Sequence, residues 1–241
     1  MNRKIDFLRT LGILVMAALL VAGTGSIVLA HHARTSDATD ARYLVDKARI
    51  TLDGFDKAKN MDAFRDLLKD AKGVFIAPQI LKGAFIVGAS GGSGVFMVRD
   101  ATTGQWSQPA FYTIGSASFG LQAGGEASEV VLLAMTERGV AALLSDSVKL
   151  GADVGVAAGP VGIGASAATA NLSADILSFA RSKGLFAGIS LDGAVVKVRD
   201  SLNDAYYKSK VTPSDILVKR TVMNRHSERL ISAVSADATK S

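Results

Sequence analysis

Cysteine is absent from the 241-residue chain, and the sequence holds only four prolines and three histidines, His31, His32 and His226. The missing cysteine excludes disulfides, thiolate metal sites, cysteine nucleophiles and thioether-linked lipids. The scarcity of proline excludes collagen-like and proline-rich linker architectures, although glycine is abundant at 24 residues. Charge is modest too: 27 basic against 22 acidic residues leave a net +5, and without residues 1–30 the balance is 24 against 21, or +3, which is no nucleic-acid footprint. What is present is apolar. Hydrophobic residues make up 49% of the chain and mean hydropathy is +0.28, enough for a packed core and too much for intrinsic disorder. The length suits one ordinary domain with an appendage.

The appendage is at the start. Arg3, Lys4 and Arg9 precede an apolar run from Leu11 to Ala22, and Val28 and Ala30 sit at −3 and −1 of a cut before His31. This is the layout of a secretory signal peptide. The alternative is an uncleaved anchor, because Leu11 to Ala30 approaches the ~20 residues of a membrane span. Either reading predicts export, to the periplasm or cell envelope. The expected organisation is a signal peptide over 1–30, an exposed lead-in over 31–41, a folded body over 42–219 and a polar, frayed tail over 220–241.

Within the body the hydrophobic period changes. Leu44, Ala48, Leu52 and Phe55, then Met61, Phe64, Leu68 and Ala71, recur at helical spacing, with Gly73 as the stop. Two amphipathic helices, or one with a break, are expected. From Val74 onward short β-type runs take over: Val74–Ala77, Ala84–Val87, Val95–Val98, Trp106–Ile114, Ser116–Gln122 and Glu129–Met135. A short helix over Thr136–Leu144 follows. Further strands are expected at Ile176–Ala180, Leu185–Ser190 and Ala194–Val198, with turns at Lys183-Gly184 and Asp192-Gly193. Two short helices, Leu202–Tyr207 and one opened by Thr212-Pro213, close the body. Without a regular strand–helix alternation, a doubly wound parallel sheet is not expected. The predicted class is α+β, a curved and mostly antiparallel sheet or barrel-like core with N-terminal amphipathic helices and short C-terminal helices.

Catalytic signals are thin. Gly88-Ala89-Ser90-Gly91-Gly92 fits the G-x-S-x-G nucleophile elbow. A hydrolase using Ser90 is therefore one alternative, but the three histidines lie towards the chain ends, and a base must come within hydrogen-bond reach of the serine. Gly162 to Ala167 resembles part of a dinucleotide fingerprint without its acidic partner or its strand–helix setting. His31 and His32 beside a processed amino terminus could suit copper, but polar residues there need no metal. Glu126 and Glu129 are spaced for one helix face, yet Ala123-Gly124-Gly125 points to a turn and a solvated pair. No catalytic residue, metal or cofactor is expected.

Surface interaction remains. Lys47, Arg49, Lys57 and Lys59 lie on or after the first helix, and Arg65, Lys69, Lys72 and Lys82 on or after the second. A basic amphipathic helix can lie on an anionic bilayer. The interspersed Asp46, Asp53, Asp56, Asp62, Asp66 and Asp70 fit an ordinary solvated face better.

Several motifs in order resemble the SYLF domain family: Ala71 to Pro78, Gly88 to Phe96, Gln105 to Tyr112, Ser118 to Gly124, Ala158 to Gly162 and Arg181 to Ala194. The resemblance spans about Tyr43 to Lys219. It implies a lipid-binding module, because SYLF domains of eukaryotic adaptor proteins bind phosphoinositide membranes and can engage actin. For an exported chain it implies a phospholipid membrane surface as partner, while actin is not expected. The eight basic residues named above are the lipid-contact candidates, chosen by charge alone. A structural or partner-binding envelope protein without a lipid ligand is the other alternative. Where the family has glycine after the aromatic pair Tyr206-Tyr207, this chain has Lys208.

Overall fold

The computed structural model describes residues 36–84, 87–119, 124–162 and 173–239. The leader reading and the His31-His32 pair lie outside the described residues, as does all of the Gly162–Ala167 segment beyond Gly162. Helix α1 runs over 36–56, and α2 over Asp62–Asp70. The apolar period explains both, because Ala41, Val45, Ala48, Leu52 and Phe55 are buried along one stripe and Phe64, Leu67 and Leu68 along the other. Arg65 holds the turn between them, its guanidinium donating to the carbonyls of Asp56 at 2.6 Å and Ala58 at 3.0 Å. Helix α2 ends at Asp70, Ala71 is already extended, and Gly73 is the first strand residue instead of a helix stop.

The α+β expectation is met by one curled nine-stranded sheet with helices on both faces. Four long strands form its middle: β1 (Gly73–Ala84), β2 (Val87–Val98), β3 (Ala110–Phe119) and β4 (Gly124–Ala134). Strand β1 lies between β2 and β4, and β3 lies outside β2, all antiparallel. Beyond β3 come β9 (Val195–Val198) and the edge strand β5 (Ser147–Lys149). Beyond β4 comes β7 (Ile176–Ser182), whose outer side is shared by the parallel β6 (Val156–Ala158) and the antiparallel β8 (Leu185–Gly188). Several predicted runs merge. Val74–Ala77 is the first part of one twelve-residue β1, and most of Trp106–Ile114 and Ser116–Gln122 becomes β3. Trp106 itself makes only an isolated bridge to Arg99.

One face of the sheet packs under α1 and α2 together with α4 (Asp200–Tyr207) and α6 (Glu228–Asp237). The other face packs under α3 (Glu137–Leu144) and α5 (Pro213–Leu217). Thr136 caps α3, accepting from the Gly139 N–H at 3.0 Å and donating to Asp175 at 2.6 Å. That hydroxyl, with the Gly155 N–H and Arg138, holds the Asp175 carboxyl below the usual carboxylate range. A reciprocal Thr212–Asp215 capping box opens α5 and holds the Asp215 carboxyl far down as well. Lys208 ends α4 in the left-handed conformation, φ 56°, so the turn forms with lysine at the position where the family has glycine.

The described residues after 220, up to 239, are not frayed. A short 3₁₀ turn at Arg225–Ser227 leads into α6, and Leu230, Val234 and Ala238 are buried in the same cluster as α1. His226 reaches α1, its Nε2 3.4 Å from the Asp46 carboxylate and its Nδ1 3.4 Å from the Tyr206 hydroxyl.

Candidate functional site

An open trough of about 810 Å³ runs beside α1 across the upper part of the sheet. Its origin is a bulge in β1. The register of β1 against both neighbours slips by one residue across Ala77–Gln79, so Pro78, which has no N–H to donate, occupies the break in the ladder. Because side chains alternate, the slip changes which residues face α1. Val74 and Ile76 do so below the bulge, whereas Gln79 and Leu81 do so above it. Gly92 permits the kink, since a Cβ there would run into the Gln79 carbonyl oxygen.

Small residues form the floor. Gly91 and Ser93 of β2 and Ala127 of β4 leave the space beside α1 unfilled, and α1 supplies the wall through Tyr43, Leu44, Lys47 and Ile50. The rim is apolar and open to solvent: Tyr43, Ile50 and Leu81 are 61%, 50% and 57% exposed. Exposed large apolar side chains gathered on one concave face mark a contact surface more often than scattered ones do. Glu129 is the carboxylate lining the trough, and it is occupied by ion pairing with Arg181 and by the Thr51 hydroxyl at 3.2 Å. The Arg181 side chain passes against Gly54 of α1 and lies 5.6 Å over the Phe186 ring, closing one end. Lys183 and Gly184, both at positive φ, form the two-residue turn from β7 to β8 and place Lys183 on the trough's lining.

Of the eight basic residues chosen by charge, Lys47 lines the trough, with its ammonium 5.2 Å from the Tyr43 ring centroid. Arg49 pairs with Asp53 at 2.9 Å, and Lys57 approaches the same carboxylate at 3.9 Å. Lys59 is exposed after α1. Arg65 is committed to the α1–α2 turn and to Asp62. Lys69 pairs with Asp66 at 2.9 Å and Lys72 with Glu137 at 2.8 Å, both beside a separate shallow notch. Lys82 is exposed on β1, and strand alternation turns it to the sheet face opposite Leu81. The eight therefore do not converge. Tyr43, Ile50, Leu81, Arg181 and Lys183 were not among the contact candidates chosen from the sequence, although Tyr43 and Ile50, seven apart, interrupt the helix face that charge should occupy.

The catalytic alternatives lose their setting. Ser90 lies inside β2, not on a strand-to-helix turn, and its hydroxyl is 2.8 Å from that of Ser116. His226, the only histidine among the described residues, is engaged with Asp46 and Tyr206. Glu126 and Glu129 share strand β4 instead of a helix, and Glu126 accepts from Ser182. No group of three metal-ligating side chains occurs among the described residues, and no described helix is long and apolar enough to cross a membrane.

A helix-roofed sheet with an open trough gathers apolar and basic side chains on one concave surface. The family described as "Ysc84: Las17-binding protein actin regulator" matches residues 115–237, just over half of the chain, and the chain belongs to this Ysc84, or SYLF, family. It is 35% identical over 159 residues to LAS seventeen-binding protein 3 of Saccharomyces cerevisiae, covering 64% of this chain and 34% of that protein. It is 32% identical over 166 residues to the human SH3 domain-containing YSC84-like protein 1, covering 68% of this chain and 48% of that protein. The chain thus spans between a third and a half of the length of these relatives. Their names describe binding and regulation, which fits a non-enzymatic domain. The expectation that actin is no partner is overturned: the family is described as a Las17-binding actin regulator. That expectation rested on export inferred from residues 1–30, which lie outside the described structure.

Proposed function

We propose that this chain is an exported, non-enzymatic protein of the cell envelope whose SYLF domain associates with anionic phospholipid surfaces through the trough face. The observation that carries the reading is the joint exposure of Tyr43, Ile50 and Leu81 with Lys47 and Lys183 on one concave surface. An aliphatic rim gains by entering the headgroup boundary, and each lysine near an anionic surface adds about 1 kcal/mol. Flotation of the full chain with anionic and with neutral vesicles tests this. The parent protein floats preferentially with anionic vesicles, and Lys47→Glu/Lys183→Glu floats less. Equal flotation of the two would assign binding to the apolar leader and overturn the reading.

The family description favours a second reading, a domain that engages actin or a Las17-like actin regulator. Co-sedimentation with actin filaments separates it from the first. Pelleting that survives the double lysine substitution would support a filament contact elsewhere on the domain, and no pelleting would remove direct filament binding.

A further inference from the structure

The trough holds about 810 Å³ beside α1, and its floor limits what can lie in it. Strands β1 and β2 are paired on both sides along the trough, whereas β4 is paired outward with β7 only over Ser128–Ala134 among the described residues. Only the short outer side of Gly124–Ala127 is left to pair with an extended peptide, and the middle of the floor, formed by β1 and β2, offers none. An aliphatic chain needs no such partners; it needs an apolar channel and a place for its charged end. The channel is supplied by Gly91, Ala127, Leu44, Ile50 and Leu81. Charge is supplied by Lys47 and Lys183, neither of which forms an ion pair among the described residues, whereas Glu129 is neutralised by Arg181. The uncompensated charge around the trough is therefore positive.

We propose that the trough takes one acyl chain of an anionic lipid, with the aliphatic tail along the β1–β2–β4 floor beside α1 and the headgroup charge between Lys47 and Lys183. This rests on the membrane-surface reading and adds a one-to-one, saturable site to it. The chemistry recognised is a single aliphatic chain joined to a phosphate ester. Shape and charge act separately in such a site: the floor selects for chain length, and the two lysines select for the sign of the headgroup.

The test is calorimetric titration of the full chain with monomeric lysophosphatidylglycerol below its micellar concentration, in a series of acyl lengths. Affinity should rise about fourfold for each added methylene until the trough is full, then level off. Glycerol phosphate, which has the charge without the tail, should not bind measurably. Lysophosphatidylcholine of the same length should bind at least tenfold more weakly. Gly91→Leu places a side chain in the trough without a steric obstacle, since a Cβ there meets nothing closer than the Ile114 carbonyl oxygen at 3.6 Å. It should abolish the saturable phase, and Ala127→Leu repeats the test from the neighbouring strand. Unchanged melting temperatures of the two variants would show that both fold. Lys47→Glu/Lys183→Glu should weaken lysophosphatidylglycerol binding at least tenfold and leave lysophosphatidylcholine unchanged.

Vesicle flotation without saturable binding of any monomer would overturn the acyl site and leave the surface reading standing. Saturable binding without flotation would do the reverse, keeping the site and removing the surface reading. Dimerisation of the parent that Gly91→Leu abolishes would show that a second copy fills the trough, and the acyl site would fall.

Discussion

Strands β1 to β4 each pass through two unlike regions. In the lower one, Phe75, Ile76, Phe96, Met97, Phe111, Val131, Leu132 and Leu133 are fully buried, and the rings of Phe64 and Phe179 meet edge-on at 5.2 Å. In the upper one the same strands are built from Leu81-Lys82-Gly83, Ser90-Gly91-Gly92-Ser93, Gly115-Ser116-Ala117 and Gly124-Gly125-Glu126-Ala127-Ser128. The hydrogen-bonded ladder runs through both. Backbone pairing therefore sets the extent of the sheet, and side-chain volume decides where it is solid and where it is open. The bulge at Ala77–Gln79 is the boundary between the two.

This contrast can be broken by substitution. The largest effect is expected in the lower region, where Phe179→Ala should cost roughly 3–5 kcal/mol in urea unfolding, because a fully buried ring leaves a cavity. A loss below that of any upper-region variant would overturn the division. At the boundary, Gly92→Ala should cost roughly 1–3 kcal/mol, since the methyl group cannot coexist with the Gln79 carbonyl unless the bulge shifts. Wild-type stability for this variant would mean that the bulge is not fixed by glycine.

A pH test addresses the lower region alone. The Asp175 carboxyl, held below its ordinary value by Thr136, Gly155 and Arg138, contributes stability that is fully present above the unfolded-state pKa of about 3.9 and is lost as pH falls through its lower folded value. Asp175→Asn should lower stability at neutral pH and flatten its decline in acid. Parallel stability profiles from pH 7 downward for parent and variant would refute that role. The smallest effect belongs above the bulge: Leu81→Ser should change stability by no more than about 0.5 kcal/mol while reducing flotation with anionic vesicles. A substantial destabilisation would mean that Leu81 is a core residue after all.

The lower region was the more legible one. Helical spacing marked α1 and α2, the Asp192-Gly193 dipeptide marked a turn that the structure contains, and Thr136 and Thr212 lead helices as their caps; at the trough itself only the Lys183-Gly184 turn was read. The upper region was hidden because its exposed face depends on a register slip at Pro78, which no single-strand pattern reveals. Charge alone was a poor guide to contact residues: Arg49, Arg65 and Lys69 pair with Asp53, Asp62 and Asp66, three or four residues away among the acids that had pointed to a solvated face, and Lys72 pairs with the distant Glu137. The tail misled for a different reason. Leu230, Val234 and Ala238 form a single row four residues apart, thinly spread among polar neighbours, and that row is the buried face of α6.

Among the described residues the outermost strands are β5, β6 and β8, of three, three and four residues, and the outer sides of β3 and β4 are unpaired over the short stretches Ser116–Phe119 and Gly124–Ala127. An exposed border of twelve residues would be a template on which another chain could polymerise; borders this short give an incoming strand few groups to pair with. Copies crowded together at high local concentration would find no described border longer than four residues on which one sheet could extend into the next.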